Sequence, residues 1–552
     1  MIRYYNGHLV SRKRGEVMDL KLDLNSLLGE NDLIKNTKEK IKRVYKMDNK
    51  PWVIGYSGGK DSTVLTQLIF ETLSEMNHEE LHKQVYIISS DTLVETPIVI
   101  AKTITTLNLI ERKAKDLKLP ISTHLIRPEA TKSFWSNLIG RGYPTPNQTF
   151  RWCTDRLKIE PANRFIMDKV SEFGEVIMVL GVRDGESNSR DRVLESHTVE
   201  GKELMSHTTL TNAYVFAPIR PFSTDDVWNY LLNHPSPWGG DNYELFKLYT
   251  DSNSNECPLI VDENIKQSAG SCGNSRFGCW TCTVVNEDKA LTGFIENGEE
   301  WLRPLLQYRN WLYGIRDQRH MRMKRRMNGQ MYFLELKVDK KGNIIIDKKG
   351  KRDKVSITRT NDTGMGSDGN EYQFMTIPQL KEYVKVNNID LSSGEDPNIV
   401  AIMGQDDHGN DIYGILGTGP FTLEARQEML MRLLLIQHDF RLPDGSQYEL
   451  ISVDELKEIR KYWLKEGDWL DSLPKIYNDI LGNSIQWETD NKPLYSESDL
   501  RQLEQICNTT GTDYNLFMKL LMQEKKYRGF KIRKFVQQEI EKTMKQDFIH
   551  FS

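Results

Sequence analysis

The stretch from Trp52 to Phe70 constrains this 552-residue chain more than any other. The apolar run Trp52-Val53-Ile54-Gly55-Tyr56 is short and strand-prone, and it breaks at Ser57-Gly58-Gly59. Behind the break, Ser62-Thr63-Val64-Leu65-Thr66-Gln67-Leu68-Ile69-Phe70 has helical spacing, so the segment predicts a strand, a loop and a helix in succession. The loop, Ser57-Gly58-Gly59-Lys60-Asp61-Ser62, has the make-up of an anion site. Adjacent glycines let the backbone come close to a ligand and turn successive N–H groups toward it. The following helix offers its first N–H groups and the positive end of its dipole. Ser57, Ser62 and Thr63 add hydroxyls, Lys60 adds a cation, and Asp61 is placed to help hold Mg²⁺ or to orient the loop. The Walker spacing is absent.

Further buried strands are expected at Val85–Ser90, Ile121–Ile126 and Val176–Val182, with a helix over Pro97–Leu117 between the first two. Strands alternating with helices predict an α/β fold with a doubly wound, mostly parallel sheet. Ligands of such sheets bind beyond the carboxyl ends of the strands. The chain divides by texture into four parts. Residues 1–48 are an N-terminal extension ending in a charged amphipathic helix, Asp32–Lys46, and residues 49–285 hold the nucleotide loop and most cysteines. Residues 286–370 are basic, with a helical stretch Glu299–Met327, a hairpin Tyr332–Asp353 and a loop Asp362–Asp368. Residues 371–552 are mainly helical, with helices at Thr422–Gln437, Val453–Glu466 and, interrupted, Leu516–Met544.

The 74 Lys and Arg against 78 Asp and Glu give a net charge of −4, so the chain is not a polycation built around nucleic acid. Phosphate contacts would have to come from local stripes, of which Arg316–Arg326 and Lys340–Lys354 are the candidates. With 38% apolar and 28% charged residues, and a mean hydropathy of −0.56, the composition is that of a globular protein. No apolar run approaches the ~18–20 residues of a membrane span. The start Met1-Ile2-Arg3-Tyr4-Tyr5-Asn6 lacks the pattern of a secretory signal. A cytoplasmic location without membrane contact is expected.

Five of the six cysteines precede residue 283. In a large cytosolic protein such clustering reads as metal or redox chemistry. Cys279 and Cys282 have the Cys-x-x-Cys spacing that offers two thiolates from one turn, and Cys272, behind Gly273 and Gly278, can fold back as a third. Cys153 or Cys257 can supply a fourth. Four thiolates suit a [4Fe–4S] cluster or structural zinc. Cys507 lies in a helical region and reads as a packed cysteine.

Tyr56–Thr63 resembles the pyrophosphate-binding loop of the adenine-nucleotide α-hydrolase superfamily. That resemblance implies cleavage of ATP between its α and β phosphates. Four further segments resemble the sulfonucleotide reductases of the same fold: Asp91-Thr92-Leu93-Val94-Glu95-Thr96-Pro97, the cysteine–basic run Arg151–Lys158, Gly181-Val182-Arg183-Asp184-Gly185-Glu186-Ser187 with Arg190, and the domain-closing element Pro218-Ile219 with Asp226–Leu231. The implied nucleotide-binding residues are Ser57, Gly58, Gly59, Lys60, Asp61, Ser62, Thr63, Asp91, Gly181 and Arg183. Lys60, Asp61, Arg183 and Arg190 are the implied catalytic groups. Arg151, Arg156, Lys158 and Arg192 add cations to loops expected at the sheet ends. The likeness also favours iron–sulfur over zinc, with Cys153, Cys272, Cys279 and Cys282 as ligands. A closer resemblance is to the DndC-type sulfurtransferases of bacterial DNA phosphorothioation, carried by Ser271–Val285 and Gly419-Pro420-Phe421-Thr422-Leu423-Glu424-Ala425-Arg426. It implies ATP-driven activation of a DNA backbone phosphate for sulfur substitution, with a cysteine desulfurase as sulfur donor and other phosphorothioation proteins as partners. A sulfonucleotide reductase, a tRNA thiolase and a catalytically silent nucleotide sensor are the alternatives.

Overall fold

The computed structural model describes residues 2–5, 8–13, 16–19, 32–184, 203–207, 210–252, 278–323, 326–327, 331–338, 344–346, 356–360, 363–366, 371–375, 400–405, 409, 411–468, 470–482, 485–487, 497–527 and 534–544. The chain forms two compact units. One comprises Met1–Asp91, Glu95–Arg127 and Lys158–Gly278; the other comprises Thr92–Val94, Pro128–Leu157 and Cys279–Ser552.

The first unit opens with a small antiparallel sheet, β1 (Ile2–Tyr5), β2 (His8–Lys13) and β3 (Glu16–Asp19). Helix α1 follows over Asp32–Lys46, the span the sequence predicted. The main sheet is built from β4 (Trp52–Gly55), β5 (Val85–Ser90), β6 (Ile121–Ile126), β7 (Val176–Val179), β8 (Met205–Ser206) and β9 (Ala213–Phe216). Its order is β6-β5-β4-β7-β9-β8, parallel throughout except for the last pair. Helices α2 (Lys60–Ser74), α3 (Pro97–Asp116), α4 (Glu160–Phe173), α5 (Thr224–Asn233) and α6 (Asn242–Asp251) complete the described helices of this unit.

Successive strand residues point to opposite faces, and both faces here are covered, so the strands read as unbroken apolar runs. Trp52 and Ile54 of β4, with Val85 and Ile87 of β5, join α1 and α2 in a large core. Their neighbours Val53, Tyr86 and Ile88 pack on the other side with Ile166 of α4. The chain runs outward from β4 through β5 to β6, then returns to place β7 and β9 on the other side of β4. The carboxyl ends of β4 and β7 therefore flank a switch in winding direction, the position where open α/β sheets leave a crevice for ligands.

The second unit has a core of large aromatic residues. Trp135, Trp280 and Trp463 are almost fully buried. Several bulky groups find a polar partner as well as packing: the Trp135 indole donates to the Leu450 carbonyl at 2.7 Å, Trp463 to Ile139 at 2.8 Å, and the Tyr308 hydroxyl to Met429 at 2.8 Å. Helices α7 (Lys289–Glu296) and α8 (Arg303–Ile315) lead to a seven-stranded sheet. Its strands are β10 (Met331–Val338), β11 (Ile344–Ile346), β12 (Ser356–Thr360), β13 (Thr363–Gly366), β14 (Glu371–Met375), β15 (Val400–Gln405) and β16 (Asp411–Leu416). The expected hairpin is the β10–β11 pair, but it belongs to a larger antiparallel array in which β10 also pairs with β16. Thr363-Gly364-Met365-Gly366 reads locally as a loop because of its glycines, yet pairing on both sides makes it a strand. Helices α9 (Leu423–Asp439), α10 (Val453–Glu466), α11 (Ser472–Leu481), α12 (Glu497–Thr510), α13 (Tyr514–Lys526) and α14 (Lys534–Met544) follow. Thr422 and Ser452 cap α9 and α10, their side chains accepting from the Ala425 and Glu455 amides. Among the described residues no helix is long and apolar enough to cross a membrane.

Candidate functional site

The loop between β4 and α2 sits at the switch point, in the first unit. Gly58 has φ +73°, a left-handed conformation that disfavours residues with a β-carbon, and such a carbon would also meet the Thr103 hydroxyl of α3 at 2.8 Å. The residue before α2 is Gly59, which has no side chain of its own to cap the helix. The N–H groups of the first turn and the helix dipole are therefore directed at the crevice without a local cap. The loop's own oxygens hold part of its backbone: Ser62 Oγ accepts from the Ser57 N–H at 3.2 Å and donates to the Gly59 carbonyl at 3.0 Å. Thr63 Oγ1 donates to the same carbonyl at 2.9 Å.

Lys60 is only 3% exposed, and its ammonium lies 3.2 Å from Asp61 Oδ2. The other Asp61 oxygen accepts from Arg183 Nε at 2.6 Å. Arg183, beyond the carboxyl end of β7, also donates through Nη1 to the Phe222 carbonyl at 3.4 Å and to Thr224 Oγ1 at 3.3 Å. Both oxygens of Asp61 thus face cations, which makes its carboxylate the link between the loop and the β7 end. Gly181 permits that closeness, since a β-carbon there would lie 3.0 Å from the Asp61 carbonyl oxygen and 3.2 Å from Ser62 Cα. Asp91, at the end of β5 and 6% exposed, is ion-paired through Oδ2 with Arg127 Nε at 2.9 Å.

The sequence-derived cations separate. Arg183 and Lys158 belong to the first unit, Lys158 pairing with Glu95 at 3.2 Å. Arg151 and Arg156 belong to the second, where Arg156 lies over the Tyr143 ring at 5.1 Å and donates to its hydroxyl at 3.0 Å. Arg190 and Arg192 lie outside the described residues, as do Cys257, Cys272 and most of the Lys340–Lys354 segment. Sequence reasoning missed Tyr249 and Arg127. Tyr249 accepts from the Lys60 amide at 3.2 Å across 189 residues of chain, and no local pattern announces such a contact.

The second unit holds the cysteine turn. The Cys282 amide donates to the Cys279 carbonyl at 3.0 Å, which folds the two thiols onto one turn. The Cys279 sulfur is 3.3 Å from Thr92 Oγ1. Burial pushes the Cys153 thiol up from its ordinary range, and the nearby charge of Cys282 adds to the effect, so these two thiols lie close together. The carbonyls of Cys282, Val285 and Asn286 wrap the fully buried Arg309 guanidinium, the first and last at 2.8 Å. Among the described residues no three His, Cys, Asp or Glu side chains form a metal-binding group. Of the four expected cluster ligands, Cys153, Cys279 and Cys282 belong to this unit, and Cys272 is outside the described residues.

The basic run Arg316–Arg326, expected to be helical and to track phosphates, is not an α-helix over its described part, and one of its arginines is buried. Helix α8 ends at Ile315, and the run continues through a single tight turn, Arg319–Met321. Arg322 is 5% exposed; its Nε donates to the Gly419 carbonyl at 2.8 Å, Nη1 donates to Arg316 at 2.5 Å, and the guanidinium lies 4.4 Å from the Phe421 ring centroid. Burial lowers its pKa to about 10. Such a group fastens the fold and cannot track DNA.

Residues 51–285 match the phosphoadenosine phosphosulfate reductase domain family. This part of the chain is similar to the PAPS reductase domain. The remaining residues lie outside that match. An uncharacterized protein of Methanocaldococcus jannaschii is 25% identical over 278 residues, which is 50% of this chain and 44% of that protein, so the match spans less than half of the relative's length. Among solved structures, the chain is similar to the U34-tRNA thiolase NcsA of Methanococcus maripaludis with its [4Fe–4S] cluster, at 14% identity and a TM-score of 0.25, covering 43% of this chain and 80% of that one. It is also similar to the NH3-dependent NAD synthetase of Campylobacter jejuni, at 14% identity and a TM-score of 0.23, covering 52% and 96%. The FMN adenylyltransferase of Candida glabrata gives 17% identity and a TM-score of 0.24, covering 40% and 59%. Likenesses at this level say nothing of what this chain binds.

Proposed function

We propose that the chain is an ATP-dependent sulfurtransferase of the DndC type, which adenylates a DNA backbone phosphate so that sulfur can replace a non-bridging oxygen. The observation that carries the ATP half is the glycine-formed turn at the switch point, with Lys60 and Arg183 locked on Asp61 beside it. A site of this kind stabilises charge on a departing pyrophosphate. ATP enters with Mg²⁺, Lys60 and the first-turn N–H groups meet its β and γ phosphates, and a phosphodiester oxygen attacks the α phosphorus. The bond from that phosphorus to the bridging oxygen breaks, and pyrophosphate leaves with the electron pair. The activated phosphodiester is then attacked at its own phosphorus by the terminal sulfur of a persulfide, and AMP departs with the oxygen that sulfur replaces; a second thiol then attacks the inner sulfur, leaving the phosphorothioate and a disulfide.

Support for the sulfur half comes from the PAPS reductase-like match, the closeness of Cys153 to Cys282, and the turn that carries both Cys279 and Cys282. With Cys272 these thiols are the proposed holders of a [4Fe–4S] cluster, which supplies one-electron chemistry and a thiophilic surface. The DNA substrate rests on the resemblance of Ser271–Val285 and Gly419–Arg426 to the phosphorothioation sulfurtransferases. A cysteine desulfurase is the proposed donor, with other phosphorothioation proteins as partners in the cytoplasm. The reductase reading is weaker because it needs a mobile C-terminal cysteine, whereas Cys507 is 2% exposed within α12. The test is twofold. The protein should convert ATP to AMP and pyrophosphate, and nuclease digests of cellular DNA should contain sulfur-bearing dinucleotides only when it is present. ADP and phosphate as the main products, or sulfur-free DNA from cells making all partners, would refute the proposal.

A further inference from the structure

We infer that Tyr249 is a latch on the nucleotide loop: its hydroxyl holds the Lys60 amide that a phosphate oxygen needs, and the incoming phosphate must displace it. This rests on reading the loop as a pyrophosphate site. Tyr249 stands on α6, and its hydroxyl accepts from the Lys60 N–H at 3.2 Å. The same oxygen would lie 3.2 Å from a β-carbon on Gly59, so it is seated directly on the turn. The Lys60 ammonium lies 5.7 Å from the Tyr249 ring centroid, which puts one side chain beside both of that residue's anion-binding groups. Tyr249 is 7% exposed and packs edge-on against Trp228, with ring centroids 5.2 Å apart. Its position is therefore set by α5 and α6, and does not depend on the loop alone.

The Lys60 N–H belongs to the first turn of α2, where the helix has no acceptor of its own to offer. A neutral phenol oxygen satisfies it. A phosphate oxygen does so more strongly, because its charge adds to the hydrogen bond and to the dipole. Exchange of one acceptor for the other is favourable, yet the bond to be broken subtracts from the affinity. The hydroxyl thereby keeps the loop's backbone formed for the arriving nucleotide and weakens its hold on pyrophosphate, the product that must leave.

The experiment is calorimetric titration of the full chain with inorganic pyrophosphate and with ATP, using wild type, Tyr249→Phe and Lys60→Ala. Phenylalanine keeps the edge contact with Trp228 and removes only the oxygen. The expected result is pyrophosphate binding about 2- to 10-fold tighter in Tyr249→Phe, the range of one neutral hydrogen bond, and loss of binding in Lys60→Ala. A merely structural tyrosine would give weaker binding, the opposite sign. Hydrogen exchange at the Lys60 amide is a second readout, expected to be faster in Tyr249→Phe. Wild type that binds while Tyr249→Phe binds no more tightly overturns the latch alone. Wild type that binds neither ligand overturns the loop reading and the latch with it.

Discussion

Asp61 and Arg183 should behave as one unit in catalysis, and a double-mutant cycle measures whether they do. The contact is short, with Nε to Oδ1 at 2.6 Å, and neither partner is well solvated: the Arg183 side chain is 6% exposed and that of Asp61 17%. An exposed pair would be worth about 0–1 kcal/mol, but a charge-assisted bond with this little solvent is worth about 1.5–3 kcal/mol. Arg183 is held from behind by Phe222 and Thr224, so little ordering entropy offsets the contact. Arg183→Met leaves Asp61 with Lys60 as its cation and frees the loop from the β7 end. At about 2 kcal/mol, that change lowers kcat/KM for pyrophosphate release roughly 30-fold. Asp61→Asn breaks the same contact and should lose a similar amount. The double variant should fall within about 3-fold of either single one, because the second change removes an interaction already lost. Steady-state release of pyrophosphate from ATP is the assay. Losses that multiply, to about 900-fold in the double variant, would show that the two residues act separately.

Arg322→Ala should destabilise the protein by about 2–4 kcal/mol, since it strips donors from buried carbonyls and empties space beside Phe421; urea denaturation measures it, and a loss under about 0.5 kcal/mol would return Arg322 to the surface. Cys153→Ser, Cys279→Ser and Cys282→Ser should each lose iron from anaerobically purified protein, while Cys507→Ser, altered at a buried site in α12, should keep it; equal iron in all four ends the assignment of ligands. Burial holds the Glu455 carboxyl above its ordinary value of 4.5. Its folded pKa is raised, so the stability it contributes is full below about 4.5 and is lost as pH rises through the folded value. Glu455→Gln has no such loss, and its stability relative to wild type should grow as pH rises above about 4.5; an unchanged difference in urea midpoints would contradict this.

The α/β unit was legible because its signals are local. Strands β4, β5, β6 and β7 were readable as short strand-prone runs and α1 and α3 from their spacing, whereas β9 was not foreseen. The loop was legible for the same reason: Ser57 to Thr63 is contiguous, and its chemistry follows from residue types. What escaped was pairing at a distance. The seven-stranded sheet draws on strands such as Thr363–Gly366, whose composition favours a turn and whose conformation is decided by neighbours on both sides. Tyr249 meets Lys60 only because α6 packs beside α2, and Arg127 meets Asp91 only because β5 and β6 are adjacent. Cys153 was separable from the C-terminal cysteine by the company of its segment, but its nearness to Cys282 is a product of the tertiary fold.

The arginines show why charge runs misled where glycine patterns did not. A guanidinium presents five donors and can serve a set of carbonyl oxygens as readily as a phosphate. The second unit contains irregular turns whose carbonyls find no helix or strand to receive them, and buried backbone groups of that kind require partners. Arg309 takes the carbonyls of Cys282, Val285 and Asn286, Arg322 takes those of Gly419 and Arg316, and Arg426 takes that of Gly140 while pairing with Glu466. The Phe421 amide in turn donates to the Gly142 carbonyl at 2.7 Å, and Gly142, at φ +71°, would carry a β-carbon 2.7 Å from the Phe421 oxygen. Gly419–Arg426 is therefore a clasp that joins the turn at Gly140–Gly142 to the turn at Arg316–Met323. A resemblance carried by that segment speaks for a shared architecture of the second unit. In the proposed function the chemistry is carried by Lys60, Asp61 and Arg183 on one hand and by the thiols of the cysteine turn on the other, which is where substitutions should separate loss of reaction from loss of fold.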